Sequence, residues 1–246
     1  MSEVIPEWET VAVSVIDDIV ELRLHSGEGS LVWSATSHRE VMEAFGWAGS
    51  RRSTKAVIIT GTGETFCSSI DVASFKGMPW DEIWWEGRRM LQNISDIDVP
   101  VIAAVNGPAT AHAEIAVLAD IVIASDTAVF GDHIHITRRT APGDGAHAVW
   151  ANLLGPSRVK YFLLTAATID AHEGRTIGFV HEVLPYGEVL PRAHAIAEQL
   201  ATLSVPVLRF SKAAVSIAAR RFFAEDLSHG LGLEGSGHWV DGGISS

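Results

Sequence analysis

Apolar and polar residues alternate near the start of the chain, and farther along they give way to short runs that are apolar throughout. Alternation over residues 10–16 and 20–24 predicts two strands, and Asp17-Asp18 between them predicts a tight turn. Uninterrupted apolar runs are typical of strands buried on both faces of a parallel sheet. Such strands are predicted over Lys55–Gly61, Val101–Val105, Asp120–Ala124 and Val180–Val183, with a shorter apolar piece at Leu31–Trp33.

Segments with a helical spacing of apolar residues separate these strands. Ser37 and Glu40 have the spacing of a capping box and predict a helix over His38–Ala48. Asp170 is the predicted N-cap of a helix over Ala171–Ile177. The other predicted helices are Trp80–Ile94, Ala109 to about Leu118, residues 146–153, Ser157–Ala166, Glu188–Leu203 and Pro206–Ala224. Strands that alternate with helices indicate an α/β fold with right-handed crossovers, followed here by a helical region.

The composition narrows the class of protein. Of the 246 residues, 47% are hydrophobic, which is enough for a sizeable core. The net charge of −12 argues against a nucleic-acid-binding surface. No apolar run is long enough to span a membrane, and MSEVIPEWET lacks the apolar core of a secretory signal, so we expect no membrane partner. Cys67 is the single cysteine, so no internal disulfide can form and we expect a cytoplasmic protein.

The stretch from Asn106 to Trp150 concentrates titratable groups that could do chemistry. A predicted turn, helix and strand are followed by a polar segment that holds His133, His135 and Asp144. Loops beside buried strands are common places for catalytic groups. His133 and His135 lie two residues apart, which matches no strong metal-binding motif, so we expect no metal.

Four segments, in their order and spacing, resemble the crotonase (enoyl-CoA hydratase/isomerase) superfamily. They are VIITG at 57–61, TFCSSIDVASF at 65–75, VPVIAAVNGPATAHAEIAVLADIVIAS at 99–125 and PGDGAHAVWANLLG at 142–155. The resemblance covers nearly the whole chain. It implies a ClpP/crotonase-like spiral of ββα units over residues 1–190. A C-terminal helical region over residues 191–246, continuous with that core, would build a homotrimer or a dimer of trimers.

Members of that superfamily use two backbone N–H groups to stabilise the enolate or oxyanion that forms in the transition state. The resemblance implies that these donors lie near Ile70 and Ala111. The sequence departs from the usual pattern at both places. Ser69 stands where glycine is usual, and Ala111-His112-Ala113 stands where a run of glycines is usual.

These departures resemble the β-diketone hydrolase branch of the superfamily, typified by 6-oxocamphor hydrolase. The matching residues are Trp33, His38, His112, His135, Asp144 and Glu234. The resemblance implies a retro-Claisen reaction on a cyclic β-diketone, and specifically a bicyclic one, that binds without CoA. Water attacks one carbonyl, the adjacent carbon–carbon bond breaks, and a chiral keto acid results. No step needs an organic cofactor or a metal.

Water needs a base at neutral pH, and a neutral imidazole is well matched to that task. We therefore expect His135 to act as the base and Asp144 to orient it, as a carboxylate does in a catalytic triad. Protonated His135 would later return its proton to the enolate carbon.

The remaining matched residues would bind the substrate or the water. His112 and the Trp33 N–H are expected to donate to the diketone oxygens. His38 and Glu234 are expected to form a second polar pair that positions water or substrate. A hydrocarbon ring also needs an apolar wall, which we predict from Phe75, Trp80 and Trp84.

Each candidate also has a purely structural explanation. These are a surface position for His135, a helix N-cap for Asp144, buried packing for His112 and Trp33, polar surface for His38 and Glu234, and a subunit interface for Trp80 and Trp84.

Two other functions stay open at this level. One is an acyl-CoA hydratase, isomerase or thioesterase with Glu114 and Asp144 as the working acids. Arg51, Arg52 and Lys55 are then the best candidates for binding the CoA phosphates, although they could equally be a solvated face. The other is a catalytically silent family member that serves as a binding partner, and the several polar site residues argue against it.

Overall fold

A computed structural model describes residues 5–240, apart from the side chains of residues 218–219, 222–224 and 237–240. The strands are β1 (Val11–Ile16), β2 (Ile19–Leu24), β3 (Val32–Trp33), β4 (Ala56–Gly61), β5 (Ser69–Ile70), β6 (Val101–Val105), β7 (Ile121–Ser125), β8 (Val129–Gly131), β9 (Thr168–Asp170) and β10 (Glu182–Leu184). The helices are α1 (Ala35–Ser50), α2 (Trp80–Asp96), α3 (Glu114–Val117), α4 (Ile134–Thr137), α5 (Ala146–Leu164), α6 (Ala171–Ile177), α7 (Tyr186–Ala201), α8 (Val205–Val215) and α9 (Ile217–Val240), with a 3₁₀ turn over Val72–Phe75.

The main sheet of the described residues has six strands in the order β1-β2-β4-β6-β7-β10. β1 and β2 are antiparallel, and every other neighbouring pair is parallel. Asp17 and Asp18 have φ angles of 51° and 65°, and positive φ at both positions is what a tight hairpin turn of this kind requires. The predicted hairpin and the predicted parallel sheet are both confirmed.

Both faces of the sheet are covered, which explains why its central strands are apolar throughout. One face packs in a large core cluster with α1, α2 and α5. On the other face, Ile58 and Ile102 pack against Val189 and Ala193 of α7. Helix α7 therefore runs through the predicted boundary at residue 190 and is buried against the sheet. The C-terminal helices continue directly from the α/β core.

The first helix begins earlier than predicted. Ser34, not Ser37, is the N-cap of α1. The Ser34 hydroxyl accepts a hydrogen bond from Ser37 N at 3.2 Å, and the Ser37 hydroxyl accepts one from Ser34 N at 2.7 Å. The Glu40 carboxylate instead accepts from Thr10 N at 2.8 Å. The prediction was wrong because a second serine, three residues upstream, closes the same kind of capping box.

The helix predicted from Ala109 is much shorter than expected, and α3 covers only Glu114–Val117. Ala109 lies in an extended segment that forms a bridge with Cys67. The N–H groups of Thr110 and Ala111 donate to the Cys67 carbonyl oxygen at 2.9 and 3.1 Å. Pairing with a neighbouring segment thus replaces helical hydrogen bonds in this stretch.

The C-terminal helices also differ from the prediction. The single helix predicted over Pro206–Ala224 is divided at Ser216 (φ −93°, ψ 1°) into α8 and α9. Helix α9 continues to Val240. The end of the predicted C-terminal helical region, residues 241–246, lies outside the described residues. Between residues 5 and 240, no helix is both long and apolar enough to cross a membrane.

Candidate active site

A cavity of about 450 Å³ is lined by residues of the β3–β5 strand pair, α2, α4 and α9. Its titratable lining groups include His38, His112, Glu114, Asp132, His135, Asp144 and Glu234. Its apolar lining groups include Trp33, Ile70, Phe75, Trp80, Ile83 and Leu231. Of the residues predicted to build the site, only Trp84 and Ala111 do not line this cavity. The structure therefore brings together residues that lie far apart in the chain, such as Trp33 and Glu234.

His135 lies in the short helix α4 and is buried. Its Nδ1 contacts both carboxylate oxygens of Asp132, at 2.7 and 2.8 Å. Asp132 precedes His135 by three residues, a spacing that places two side chains on the same side of a helical turn. Asp132 therefore holds the Nδ1 side of the ring, and Asp144, the carboxylate predicted to orient His135, lies on the side of the other nitrogen.

The other nitrogen of His135 faces two more carboxylates. Its Nε2 lies 3.4 Å from Asp144 Oδ2 and 3.7 Å from Glu234 Oε1. Burial alone would lower the pKa of His135. The negative charge of Asp144 and the hydrogen bond to Asp132 outweigh burial, so the pKa lies well above its usual value. The surrounding carboxylates thus favour the protonated form of His135.

The two carboxylates beside Nε2 differ in acidity. Burial raises the pKa of Asp144, but the charge of His135 opposes this effect and holds the pKa far below its usual range. Burial raises the pKa of Glu234 to about 7, and the Asp144 charge adds to that shift. At neutral pH Asp144 is therefore ionised, whereas Glu234 is close to half ionised. Neighbouring carboxylates whose pKa values are shifted in opposite directions are typical of acid–base sites.

His112 adopts a left-handed backbone conformation, with φ at 52°, which is uncommon for a residue other than glycine and is often found at functional sites. Its Nδ1 lies 2.6 Å from Glu114 Oε1 and 3.6 Å from Asp144 Oδ2. Burial would lower the pKa of His112, but the Glu114 carboxylate outweighs it and the pKa is raised. Its ring stacks on Trp33 with centroids 4.0 Å apart, so a protonated His112 gains a cation–π contact.

The side chains of Trp33 and His38 complete the polar lining on this side. Trp33 Nε1 is buried and has no hydrogen-bond partner within residues 5–240. His38 Nε2 contacts the Ile83 carbonyl oxygen at 3.2 Å. Burial, with the charge of His112, lowers the pKa of His38 to about 4, so this ring is neutral. The predicted pairing of His38 with Glu234 was wrong, because Glu234 lies beside His135 instead.

The apolar wall differs from the prediction in one residue. Trp80, Ile83 and Gly87 of α2 line the cavity, because residues three and four apart share one face of a helix. Trp84 was predicted to belong to this wall but does not line the cavity. It packs against the main core cluster, and the Arg88 guanidinium lies 5.5 Å from its ring centre. Phe75 lines the cavity as predicted.

The backbone donor predicted at Ala111 already has a partner. Its N–H donates to the Cys67 carbonyl oxygen at 3.1 Å, and Ala111 does not line the cavity. Ile70 does line it, and β5 pairs Ile70 with Trp33 of β3. The prediction for Ala111 was wrong because the left-handed conformation of His112 redirects the chain immediately after it. The side chains of Trp33 and His112 line the cavity and can donate hydrogen bonds in place of the expected backbone donor.

Helix α9 reaches the cavity through close glycine contacts. A methyl group added at Gly230 would overlap the His147 ring, and one at Gly235 would overlap Trp80 Nε1. An added methyl at Gly143 would overlap the Gly230 carbonyl. Glycine thus lets the helix approach closely enough to present Glu234 beside His135.

Two groups of side chains within the described residues have a geometry that could hold a metal ion. They are His112, Glu114 and Asp144, and His135, Asp144 and Glu234, with ligand atoms within 4.8 Å of one another in each group. In both groups the imidazole is already paired with carboxylates. The expectation of a metal-free site stays a prediction.

Residues 17–232 match the sequence profile of the enoyl-CoA hydratase/isomerase family. The chain therefore belongs to this family, the crotonase superfamily, and its parallel sheet and C-terminal helices confirm the predicted fold. A probable enoyl-CoA hydratase of Mycobacterium bovis is 31% identical over 178 residues, which cover 72% of this chain and 67% of the relative. A crotonyl-CoA hydratase of Syntrophomonas wolfei is 32% identical over 183 residues, which cover 72% and 68%.

Solved structures place the chain more narrowly within that family. It is similar to a β-diketone hydrolase from the cyanobacterium Anabaena sp., solved with (S)-3-oxocyclohexyl acetic acid bound, at 37% identity and a TM-score of 0.91, with 94% of each chain covered. An enoyl-CoA hydratase from Mycobacterium avium subsp. paratuberculosis shares the fold, at 23% identity and a TM-score of 0.81, with 95% of this chain and 90% of that chain covered. The predicted similarity to the β-diketone hydrolase branch is thus confirmed.

Three residues of the site were missed or undervalued in the sequence. Asp132 was not considered, although Asp132-x-x-His135 has the spacing of two neighbours on one helical turn. Ile83 shares the α2 face of Trp80 and could have been found from that spacing. Glu114 was considered as a working acid only for the acyl-CoA alternative, and it lines the cavity, where it binds His112.

Proposed function

We propose that this chain is a cofactor-free hydrolase that cleaves a carbon–carbon bond of a cyclic β-diketone. One molecule of water adds across the bond between a carbonyl carbon and the carbon that separates the two carbonyls. The hydroxyl ends on the carbonyl carbon as a carboxylic acid, and a proton ends on the separating carbon. The observation that carries the proposal is His135, buried between carboxylates at the polar end of an apolar-walled cavity.

Glu234 is the base that takes a proton from the attacking water. The sequence predicted His135 as the base, and that role requires a neutral imidazole. The carboxylates beside both of its nitrogens disfavour this neutral form. Glu234, with its pKa raised to about 7, can accept a proton near neutral pH. It lies 3.7 Å from His135 Nε2, so the same water can contact both groups.

Trp33 and His112 stabilise the negative charge that develops on the attacked carbonyl oxygen. Trp33 Nε1 is a buried donor without a partner in the described part of the chain. His112 binds Glu114 through Nδ1, which leaves its Nε2–H for a substrate oxygen. Fixed donors in a site that excludes water are worth far more than the same donors in solution.

His135 supplies the proton to the leaving carbon. When the tetrahedral intermediate collapses, the electrons of the broken bond move into an enolate. The His135 Nε2–H then donates a proton to the enolate carbon. Because the site attacks only one of the two carbonyls of a symmetric bicyclic diketone, the product is a single enantiomer. The proton held by Glu234 returns to His135 and restores the resting site.

The walls of the cavity suit a hydrocarbon ring. Phe75, Trp80 and Ile83 line it. The acid bound to the Anabaena hydrolase is a ketone ring that carries an acetic acid arm. Two ring carbons flank the ketone. Joining the carboxyl carbon to the one that lies farther from the acetic acid arm, with loss of water, gives bicyclo[2.2.2]octane-2,6-dione. A bicyclic diketone of this kind is the substrate class that we propose.

The second candidate is a reaction on an acyl-CoA thioester. Curated relatives are named enoyl-CoA hydratases, and Glu114 lines the cavity. However, Glu114 Oε1 is held by His112 at 2.6 Å, and the Ala111 N–H is held by Cys67. Lys55 Nζ donates to the Ala201 carbonyl oxygen, and none of Arg51, Arg52 and Lys55 lines the cavity.

A parallel assay of both substrate classes tests the proposal. The purified protein is incubated with bicyclo[2.2.2]octane-2,6-dione, with 6-oxocamphor and with crotonyl-CoA, and products are separated by chiral chromatography. We expect one enantiomer of a keto acid, and a loss of about 10²- to 10⁴-fold in rate for His135→Ala and Asp144→Asn. His133→Ala is the matched control and keeps the rate. Turnover of crotonyl-CoA without diketone cleavage would reject the proposal.

We also propose that the protein works in the cytoplasm. Its single cysteine, Cys67, is a free and buried thiol, and burial raises the pKa of that thiol. A fold that contains no disulfide needs no oxidising compartment. Fractionation of the source cells with an antibody against the protein tests this location.

A further inference from the structure

Two positively charged side chains stand at the outer end of the cavity. Lys76 and Arg138 line it and are exposed, whereas Glu114, Asp132 and Glu234 are largely buried. The cations therefore mark the mouth and the carboxylates mark the interior. This separation is unexpected for a chain with a net charge of −12, on which most exposed charges are negative.

Both cations project from backbone that already builds the site. Lys76 follows Phe75 of the apolar wall, and its N–H closes the 3₁₀ turn on Ala73 O at 3.1 Å. Arg138 follows His135 by three residues, and its N–H donates to His135 O at 3.1 Å. Within residues 5–240 neither side chain has a hydrogen bond or an ion pair, so both charges are available to a ligand.

The proposed hydrolysis creates a charge that these cations can bind. A neutral diketone enters and a carboxylate leaves, and the new carboxylate forms beside the ionised Asp144. Like charges in a buried site repel strongly, because the interior screens them less than water does. A carboxylate arm that swings toward the mouth leaves this repulsion and approaches two cations.

We propose that Lys76 and Arg138 form a carboxylate-binding subsite at the cavity mouth, which holds the acid arm of the keto acid product. This inference rests on the proposed function for the identity of the acid. It extends to substrates, because a diketone that carries a carboxylate arm would also bind there. Neutral ligands of the same shape would gain nothing from the subsite.

The test compares an acid with its neutral ester. Dissociation constants for 3-oxocyclohexyl acetic acid and its methyl ester are measured by titration calorimetry in the parent, in Lys76→Gln, in Arg138→Gln and in the double variant. Exposed ion pairs are weak, so we expect the double variant to bind the acid about fivefold less tightly and the ester equally well. Raising the salt concentration should weaken acid binding to the parent and have little effect in the double variant.

Arg139→Gln is the matched control, because Arg139 is the exposed neighbour of Arg138 and does not line the cavity. Equal acid affinity in the parent and the double variant would overturn the inference, and so would an equal loss for acid and ester. Binding is measured without turnover, so the two proposals can fail separately. A protein that binds the acid through these cations but cleaves no diketone would keep the subsite and lose the proposed function.

Discussion

At the scale of single residues, His135 is defined by the carboxylates around it. Asp132 fixes Nδ1, while Asp144 and Glu234 face Nε2. An imidazole with an anion on each side holds its proton more firmly, and a carboxylic acid that is buried beside an anion ionises only at a higher pH than usual. The protonation of His135 and that of Glu234 are therefore coupled, and the pKa values that an experiment reports belong to the pair.

The pH dependence of kcat/KM tests this proton distribution. Glu234 must be ionised to accept a proton, so the rate should rise with pH through about 7. His135 must stay protonated to donate one, so the rate should fall at a pH well above its usual pKa. Glu234→Gln should remove the limb near pH 7 and lower the rate by about 10²- to 10⁴-fold.

Glu225→Gln, an exposed position on the same helix, should leave the pH profile unchanged. A rate that rises only above pH 7 and never falls would instead indicate that neutral His135 is the base, as the sequence alone predicts.

Asp132→Asn should show whether the Asp132 carboxylate acts on the reaction through His135. Asparagine has nearly the same shape but holds the imidazole less firmly and no longer stabilises its protonated form. We expect kcat to fall by about 10²- to 10⁴-fold while KM changes little. Asp96→Asn, an exposed position on α2, serves as the control in steady-state kinetics. An unchanged kcat would show that Asp132 does not act through His135.

Much of the residue-level site could be predicted from sequence, because the matched residues meet around one cavity. The failures share one cause. Which nitrogen of His135 faces Asp132, and whether the Ala111 N–H is free, depend on backbone turns at His112 and around α4. Hydrophobic patterns do not report such turns, and the expected oxyanion donor at Ala111 was lost for this reason.

At the scale of elements, the approach of α9 depends on which of its glycines face the core. Gly230→Ala should force the helix or His147 to move, since the new methyl would overlap that ring. Overpacking of this kind destabilises by about 1–3 kcal/mol. Glu234 lies about one turn farther along, so we expect kcat to fall as well. Thermal unfolding and steady-state kinetics measure the two effects.

Gly232→Ala is the matched control on the same helix, because nothing lies within 4 Å of the added methyl. Removing a glycine from a helix interior should raise the unfolding free energy by up to about 1 kcal/mol and leave kcat unchanged. Equal behaviour of the two variants would contradict the close docking of α9.

The strands of the main sheet were predictable to within a few residues, whereas the short strands β5, β8 and β9 and several helix ends were not. The central strands are apolar throughout because both sheet faces are covered, and that pattern is plain in the sequence. The start of α1 depended on a choice between Ser34 and Ser37. The extended backbone at Ala109 depended on pairing with Cys67, and local sequence does not contain such long-range pairing.

At the scale of the whole molecule, we propose that the C-terminal helices associate with those of other copies to form a trimer or a dimer of trimers. Phe210 and Val215 of α8 are 73% and 80% exposed, and large apolar side chains exposed to this extent are typical of a contact surface. Phe210→Asp should lower the molar mass measured by light scattering after gel filtration. Ile16→Asp, at a position 64% exposed in the β1–β2 hairpin, should not. A monomeric parent would contradict the proposal.

Glu234 comes from α9, the final helix of the described chain, whereas its partner His135 is held by the sheet-bearing core. During synthesis the core can fold while the ribosome is still making α9, but the cluster around His135 then lacks one of its carboxylates. A nascent chain therefore gains its full acid–base machinery only after α9 has been synthesised. Proteolytic removal of α9 would recreate that state, leaving a protein with an intact sheet and a silenced site.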